Sequence, residues 1–166
     1  MLGYVSAAGQ GEADELIRAV ATRLRGQGLR LAGAVQVNLE TDPAHKCRMD
    51  LHILSGTEVV RISQDLGTLA QGCRLDPEGL ERAVGLVQAA LAEGADLVIV
   101  NKYGKQEIGG RGFRPVINEA LGAGVPVLTA VNPDNIAAFE AYAEGMGEAL
   151  PPEEDAVLDW VARVRA

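Results

Sequence analysis

The stretch Ser6-Ala-Ala-Gly-Gln-Gly-Glu-Ala13 decides the fold prediction. It follows a short apolar run, residues 2–6, and precedes a helical pattern. A phosphate-binding turn in this position has the template G-x-x-x-x-G-K-[ST]. Here Ser6 replaces the first glycine, Glu12 the lysine and Ala13 the hydroxyl residue, while the glycine pair Gly9 and Gly11 remains. We therefore predict that the turn keeps its geometry and has lost the residues that act in hydrolysis.

Composition restricts the class of protein. The 166 residues are 48% hydrophobic, which is enough for a sizeable core in a single domain, residues 1–166. The net charge of -8 disfavours unspecific attraction to nucleic acid or to anionic membranes. There is no basic segment followed by a long apolar one, and no apolar run approaches the length of a membrane span. With only two cysteines, these features predict a soluble protein in a reducing cytoplasm.

Apolar runs typical of strands alternate with helical patterns along the chain. An alternating order of this kind predicts an α/β three-layer sandwich with a mainly parallel sheet. Two of the runs flank Ser55-Gly56 and predict a small β-hairpin insertion. Asp76 and Pro77 have the residue types of an N-cap and a first helical position. The predicted strands are residues 2–6, 31–37, 49–54, 59–62, 97–100 and 125–131; the predicted helices are residues 12–24, 77–93, 115–121, 135–144 and 153–165.

Ligands of such sheets bind beyond the carboxyl ends of the strands. The richest polar loop in that position is Asn101-Lys-Tyr-Gly-Lys-Gln-Glu107, continued by Gly109-Gly-Arg-Gly-Phe-Arg114. Its glycines allow backbone amides to approach an anion, and Arg111 and Arg114 supply bidentate charge. An ordinary solvated surface loop explains the same composition, so both interpretations stay open.

The two loops together resemble those of small P-loop nucleoside triphosphatases, in which a second strand ends in a motif of the type Asp-Glu-Ile-Gly-Lys-Met-Glu. Gly104, Lys105 and Glu107 match that motif, whereas Asn101 and Lys102 replace its acidic pair.

The chain is still more similar to an uncharacterised bacterial family, a domain of unknown function whose genes accompany molybdenum-uptake genes. The similarity lies in residues 61–67, 72–76 and 101–107 and extends over roughly residues 1–150. It implies a P-loop-NTPase-like fold and a role in handling molybdate or tungstate.

The substitutions at the two loops bear on phosphoryl transfer. P-loop enzymes use a lysine on the outer phosphates, a hydroxyl on magnesium and an acidic residue at a strand end. All three are changed here, so we expect no ordinary hydrolysis of a nucleotide unless Lys102, Lys105, Arg111 or Asp14 substitutes for the missing groups. The reciprocal substitutions suggest an ion pair between Glu12 and Lys102. Glu12 is equally explained as a surface residue favoured by the helix dipole.

Two further groups of polar residues each have a structural and a functional interpretation. Ser63, Gln64 and Arg74 offer hydroxyl, amide and guanidinium groups to a ligand, although turn and capping chemistry accounts for their residue types. His45, Cys47, His52 and Cys73 fit no compact zinc spacing, and we predict local roles and no metal site.

The sequence thus predicts a non-hydrolysing anion-binding protein. Its expected ligand is a small oxyanion, molybdate or tungstate, or otherwise a nucleotide, and no cofactor is certain. The alternatives are a divergent nucleoside triphosphatase or nucleotide-binding switch, and a regulatory interaction protein without a ligand. Expected partners are a molybdenum-transport or cofactor-pathway protein and, as a further possibility, a second copy of the chain. The predicted binding residues are Gly9, Gln10, Gly11, Glu12, Ser63, Gln64, Arg74, Asn101, Lys102, Lys105, Arg111 and Arg114.

Overall fold

The structure is a computed structural model that describes residues 1–9, 11–39, 48–64 and 74–166. Its centre is a seven-stranded sheet in the order β4-β3-β2-β5-β6-β1-β7. Strands β2, β5, β6, β1 and β7 are parallel, and β3 and β4 pair antiparallel at one edge. The mainly parallel sheet with a hairpin is therefore present as predicted. The strands are β1 Leu2–Val5, β2 Leu31–Leu39, β3 Arg48–Ile53, β4 Val59–Arg61, β5 Leu97–Val100, β6 Val127–Ala130 and β7 Gly147–Leu150.

Helices cover both faces of the sheet. Ile17, Val20 and Leu24 of the first helix pack with Trp160 of the last helix on one face. The second, fourth and fifth helices bury their apolar side chains on the opposite face. The helices are α1 Glu12–Gly26, α2 Pro77–Ala92, α3 Lys105–Ile108, α4 Arg114–Gly122, α5 Ile136–Ala143 and α6 Glu154–Arg165.

Most element boundaries agree with the sequence patterns to within two residues. Asp76 caps α2 as predicted, because its side chain accepts a hydrogen bond from the N–H of Glu78. Two elements were not predicted. Strand β7 carries only two apolar residues and pairs with β1 at the edge of the sheet, and α3 is a single turn inside what we interpreted as a loop.

The strand order separates the two loops of interest. Strand β6 lies between β1 and β5, so the ends of β1 and β5 are two strand spacings apart, roughly 10 Å. Helix α1 follows β1 and packs against β2, on the far side of β5. A side chain on the first turns of α1 can therefore reach the carboxyl ends of both β2 and β5.

Candidate functional site

The turn after β1 begins α1 with a left-handed glycine. Gly11 has φ 77° and is the N-cap of α1, and no side chain caps this helix end. The N–H of Glu12 donates to the carbonyl of Gly9 at 3.3 Å, and the N–H of Glu15 donates to that of Gly11 at 3.0 Å. The positive end of this four-turn helix thus faces the turn.

The Glu12 side chain folds back over this turn. A methyl group built on Gly9 would lie 2.4 Å from both Cδ and Oε1 of Glu12. In an α-helix the Cα–Cβ bond tilts towards the N-terminus, which directs this first helical side chain to the turn. The carboxylate therefore lies beside the backbone that a bound phosphate would contact.

The predicted ion pair between Glu12 and Lys102 is wrong. Nζ of Lys102 lies 4.0 Å from Oδ1 of Asp14 instead. Asp14 is two residues beyond Glu12, which places it about 200° around the helix. Asp14 therefore faces the sheet, whereas Glu12 does not.

Asp14 is held by a closed set of amide hydrogen bonds. Nδ2 of Asn101 donates to Oδ1 of Asp14 at 2.7 Å, and Nδ2 of Asn38 donates to Oδ2 at 3.2 Å. Oδ1 of Asn101 accepts from the backbone N–H of Gln36 at 2.7 Å, and Nε2 of Gln36 donates to Oδ1 of Asn38 at 2.9 Å. Asp14 and Asn101 are only 8% and 2% exposed. The network joins α1, β2 and the end of β5.

This network lies at the carboxyl ends of β2 and β5, the edge of the sheet at which ligands of such folds bind. An acidic residue after the strand equivalent to β5 would help to hold magnesium, and here Asn101 binds Asp14 instead. Within residues 1–9, 11–39, 48–64 and 74–166, no group of three or more His, Cys, Asp or Glu side chains is placed to hold a metal ion. His52 is exposed on β3, and His45, Cys47 and Cys73 lie outside the described residues.

The loop after β5 is organised around a buried carboxylate. Oε1 of Glu107 accepts from the N–H of Gly104 at 2.8 Å, and Oε2 accepts from the N–H of Phe113 at 3.0 Å. Burial raises the pKa of Glu107 from its ordinary value of 4.5, although these backbone hydrogen bonds act in the opposite direction. Glu107, which matches the P-loop motif, is therefore a structural residue whose hydrogen bonds hold residues 104–113 in a compact unit.

The arginines of this loop have different surroundings. NH1 of Arg114 donates to the carbonyls of Glu107 and Ile108, each at 3.3 Å, and its guanidinium lies 4.6 Å from the ring centroid of Tyr142. Arg111 is exposed and donates to the side chain of Gln106 at 3.2 Å. Arg114 is engaged within the loop and its neighbours, whereas Arg111 remains accessible.

The predicted ligand residues fall into two groups. Gly9, Gly11, Glu12, Asn101 and Lys102 lie around the first turn of α1. Ser63 follows β4, five strand spacings from β1, or about 24 Å away. Its Oγ accepts from the N–H of Met49, and Nε2 of Gln64 donates to the carbonyl of Leu75.

For the remaining predicted residues, Lys105 and Arg74 are exposed, and Gln10 lies outside the described residues. The hydrogen bonds of Ser63 and Gln64 given above are turn-stabilising contacts, which is the alternative to ligand binding that their residue types also allow.

Gln36 and Asn38 were missed from the sequence, and Asp14 was considered only as a substitute for a missing catalytic group. A signal existed for Asp14, because it shares the helical face of Ile17, Ala21 and Leu24, which is otherwise apolar. A carboxylate on the buried face of a helix requires partners. The identity of the partners of Asp14 depends on the pairing of β2 with β5, which cannot be read from the local sequence pattern.

A family model described as "Protein of unknown function (DUF2478)" matches residues 2–160. The chain belongs to this family. It is also 36% identical over 152 residues to a molybdenum import ATP-binding protein, ModC 2, of Bradyrhizobium diazoefficiens. That alignment covers 91% of the chain but only 17% of the length of the relative. The predicted similarity to a domain of unknown function linked with molybdenum uptake is confirmed.

The fold is that of the crystal structure of THEP1 from the hyperthermophile Aquifex aeolicus. The TM-score is 0.65, the sequence identity is 14%, and the match covers 99% of this chain and 96% of THEP1. The predicted P-loop-NTPase-like fold is confirmed. None of the helices in the described part of this family member combines the length and the apolar character needed to cross a bilayer.

Proposed function

We propose that this protein is a non-hydrolysing anion-binding protein with an altered P-loop, acting in the handling of molybdate or tungstate or in its regulation. The observation that carries the proposal is the hydrogen bond between Asn101 and Asp14. This hydrogen bond engages both side chains in internal contacts, near the position where a P-loop enzyme would hold magnesium. We therefore expect the ligand to be bound without the metal that phosphoryl transfer requires.

Three features support an anion at the turn. The start of α1 has no side-chain cap, and Gly11 adopts a conformation that favours glycine. Oγ of Ser6, directly after β1, is buried and has no hydrogen-bond partner among the residues that the structure describes. The ammonium group of Lys102 supplies positive charge near the first turn of α1, with its side chain 47% exposed. Backbone N–H groups, a hydroxyl and an ammonium group are the donors that tetrahedral oxyanions use.

The similarity to the import protein supports molybdate and tungstate as the ligands. A stretch 36% identical to this chain occurs in a protein named for molybdenum import and ATP binding. Because the altered turn lacks the lysine and hydroxyl of an ATPase, we assign the chain the binding or regulatory part of such a process.

Equilibrium titration with molybdate, tungstate, sulfate and phosphate tests the proposal. We expect saturable binding of at least one of these anions by the unmodified protein. Lys102→Met keeps the length of the side chain and removes its charge, so the affinity should fall about tenfold, which corresponds to about 1.4 kcal/mol. Arg82→Met removes a charge from the exposed side of α2 and should leave the affinity unchanged.

A nucleotide-binding switch is the second candidate function. It is favoured by the P-loop-NTPase-like fold together with the ATP-binding name of the 36% identical relative. Phosphate release from ATP or GTP with magnesium, compared between the unmodified protein and Lys105→Ala, distinguishes an enzyme from a binding protein. Tight nucleotide binding without phosphate release would favour the switch.

A regulatory interaction protein without a ligand is the third candidate. It is favoured by the ion pair between Lys102 and Asp14 and by the internal contacts of Arg114, which engage two of the predicted anion-binding cations. Absence of binding of all four oxyanions and of both nucleotides would select this candidate.

A further inference from the structure

A groove runs along α1, between this helix and strands β2 and β3. Its first part, 440 Å³, is lined by Gly11, Asp14, Glu15, Arg18, Gln36, Val37 and Asn38. Its second part, 370 Å³, is lined by Arg18, Ala21, Thr22, Arg25, Val35, His52 and Leu54. Arg18 lines both parts, so the two parts lie end to end along α1, from the altered turn to the last turn of the helix.

The floor of the groove is a face of the sheet that α1 covers at β2, and in the part of the chain that the structure describes no further helix covers the same face of β3 and β4. Val35 pairs with His52, and His52 pairs with Val59, so the three side chains form one row across β2, β3 and β4. Val35 is buried against α1, but His52 is exposed and Val59 is 49% exposed. The row therefore begins beneath α1 at Val35 and ends at an exposed surface formed by the polar His52 and the apolar Val59.

The charges in the groove are divided between its ends. Arg18 and Arg25 are exposed, and within the described part of the chain neither forms an ion pair with a carboxylate. Arg23, on another side of the same helix, does pair with Glu154 at 3.2 Å. Exposed positive charge in the groove is thus concentrated at Arg18 and Arg25, in a chain of net charge -8.

The opposite end carries Asp14 and Glu15 together with the amides of Gln36 and Asn38. The phosphates of a nucleic acid are uniformly spaced, so some of them would lie against these carboxylates and be repelled. A membrane surface is broader than the groove. A polypeptide can instead place acidic side chains at Arg18 and Arg25 and an apolar side chain beside His52 and Val59, the exposed members of the row.

The length of the groove fits a short extended peptide. Fourteen helical steps from Gly11 to Arg25 span about 21 Å, which is the length of six or seven residues of extended chain. We propose that this groove binds an acidic, extended segment of a protein partner, with its carboxylates on Arg18 and Arg25. Peptide binding would be a further role of the protein, in addition to the proposed anion binding, and does not depend on it.

Selection from a displayed library of random seven-residue peptides tests this proposal. The full-length protein is the bait, and Arg18→Gln with Arg25→Gln is the comparison variant, since glutamine keeps helix propensity and removes the charge. We expect the recovered peptides to be enriched in Asp and Glu. Their affinity should fall at least tenfold for the double variant and change less than twofold for Arg82→Gln.

Circular dichroism of the variants verifies that the fold is kept. Recovered peptides without acidic enrichment, or with equal affinity for the double variant, would overturn the proposal, as would recovery of no peptide. Single-stranded DNA of twelve nucleotides and vesicles of phosphatidylcholine with phosphatidylglycerol are the other probes. Binding of either through Arg18 and Arg25 that is tighter than binding of the peptides would also overturn it.

Discussion

Asn101 donates a hydrogen bond of 2.7 Å from Nδ2 to Oδ1 of Asp14, across the carboxyl end of the sheet. This contact joins the first turns of α1 to the end of β5. It requires an amide at position 101 and a carboxylate at position 14.

Asn101→Asp should destabilise the protein. An aspartate keeps the acceptor for the N–H of Gln36 but loses the donor to Asp14 and places two buried carboxylates together. The expected loss in free energy of unfolding at pH 7 is about 2–3 kcal/mol, from the broken hydrogen bond to a charged group. Urea denaturation followed by the fluorescence of Trp160, the only tryptophan, measures it.

Asn132→Asp is the matched control for this change. The side chain of Asn132 is exposed and only accepts, from the N–H of Asp134, and a carboxylate performs that role equally well. If both variants lose the same stability, the contact between Asn101 and Asp14 does not have the proposed role.

Glu107→Gln should change how stability depends on pH. Burial raises the pKa of Glu107 above 4.5 in the folded protein, so the folded state holds this proton more tightly than the unfolded state. The associated stabilisation is fully present below pH 4.5 and is lost as the pH rises through the folded pKa.

Unfolding of both proteins between pH 4 and pH 8 measures this dependence. The unfolding free energy of the unmodified protein minus that of Glu107→Gln should decrease with rising pH, by at most about 1.4 kcal/mol per pH unit. A difference that is constant over this range, or that increases, contradicts a raised pKa.

Gly112→Ala should be more harmful than Gly110→Ala. Both glycines have positive φ, 60° and 85°, so alanine is strained at either position by about 1–2 kcal/mol. Only at Gly112 would the new methyl group meet another atom, Oε2 of Glu107 at 1.8 Å; at Gly110 it would meet nothing within 4 Å.

The difference between the two alanine variants isolates the steric part of the effect. We expect Gly112→Ala to lose a further 1–3 kcal/mol, roughly the range measured for overpacked sites, in thermal or urea unfolding. Equal losses would mean that the loop adapts around Glu107.

Glu12→Gln should increase the affinity for an oxyanion. The carboxylate lies over Gly9, and at about 4 Å from a bound anion it would repel it by about 1–4 kcal/mol, depending on the effective dielectric constant. Because Glu12 is exposed, we expect the lower end of this range, a gain of roughly fivefold to tenfold in a calorimetric titration. Glu93→Gln, at the exposed end of α2, should have no effect, and a reduced affinity of Glu12→Gln would show that this side chain assists binding.

Local patterns were sufficient for most of the fold. The runs at Leu97–Val100 and Val127–Ala130 are continuously apolar because these central strands are covered on both faces, and they predicted the parallel sheet. The short edge strand Gly147–Leu150 escaped detection because its stability comes from pairing with β1.

The site was less predictable than the fold. The turn at Gly9 and Gly11 and the importance of Asn101 and Lys102 were evident from the template. The partner of Lys102 was not, because it depends on which side of α1 faces β5. That orientation is fixed by the apolar face of α1, and Asp14, not Glu12, lies on it.

Calorimetric titration of molybdate into the protein, once with excess EDTA and once with magnesium, tests the central claim most directly. The proposed function predicts saturable binding of one anion per chain, with the same affinity in both buffers and with a reduced affinity in Lys102→Met. No saturable binding of molybdate or, in the same titration, of tungstate, or binding that requires magnesium, would contradict it.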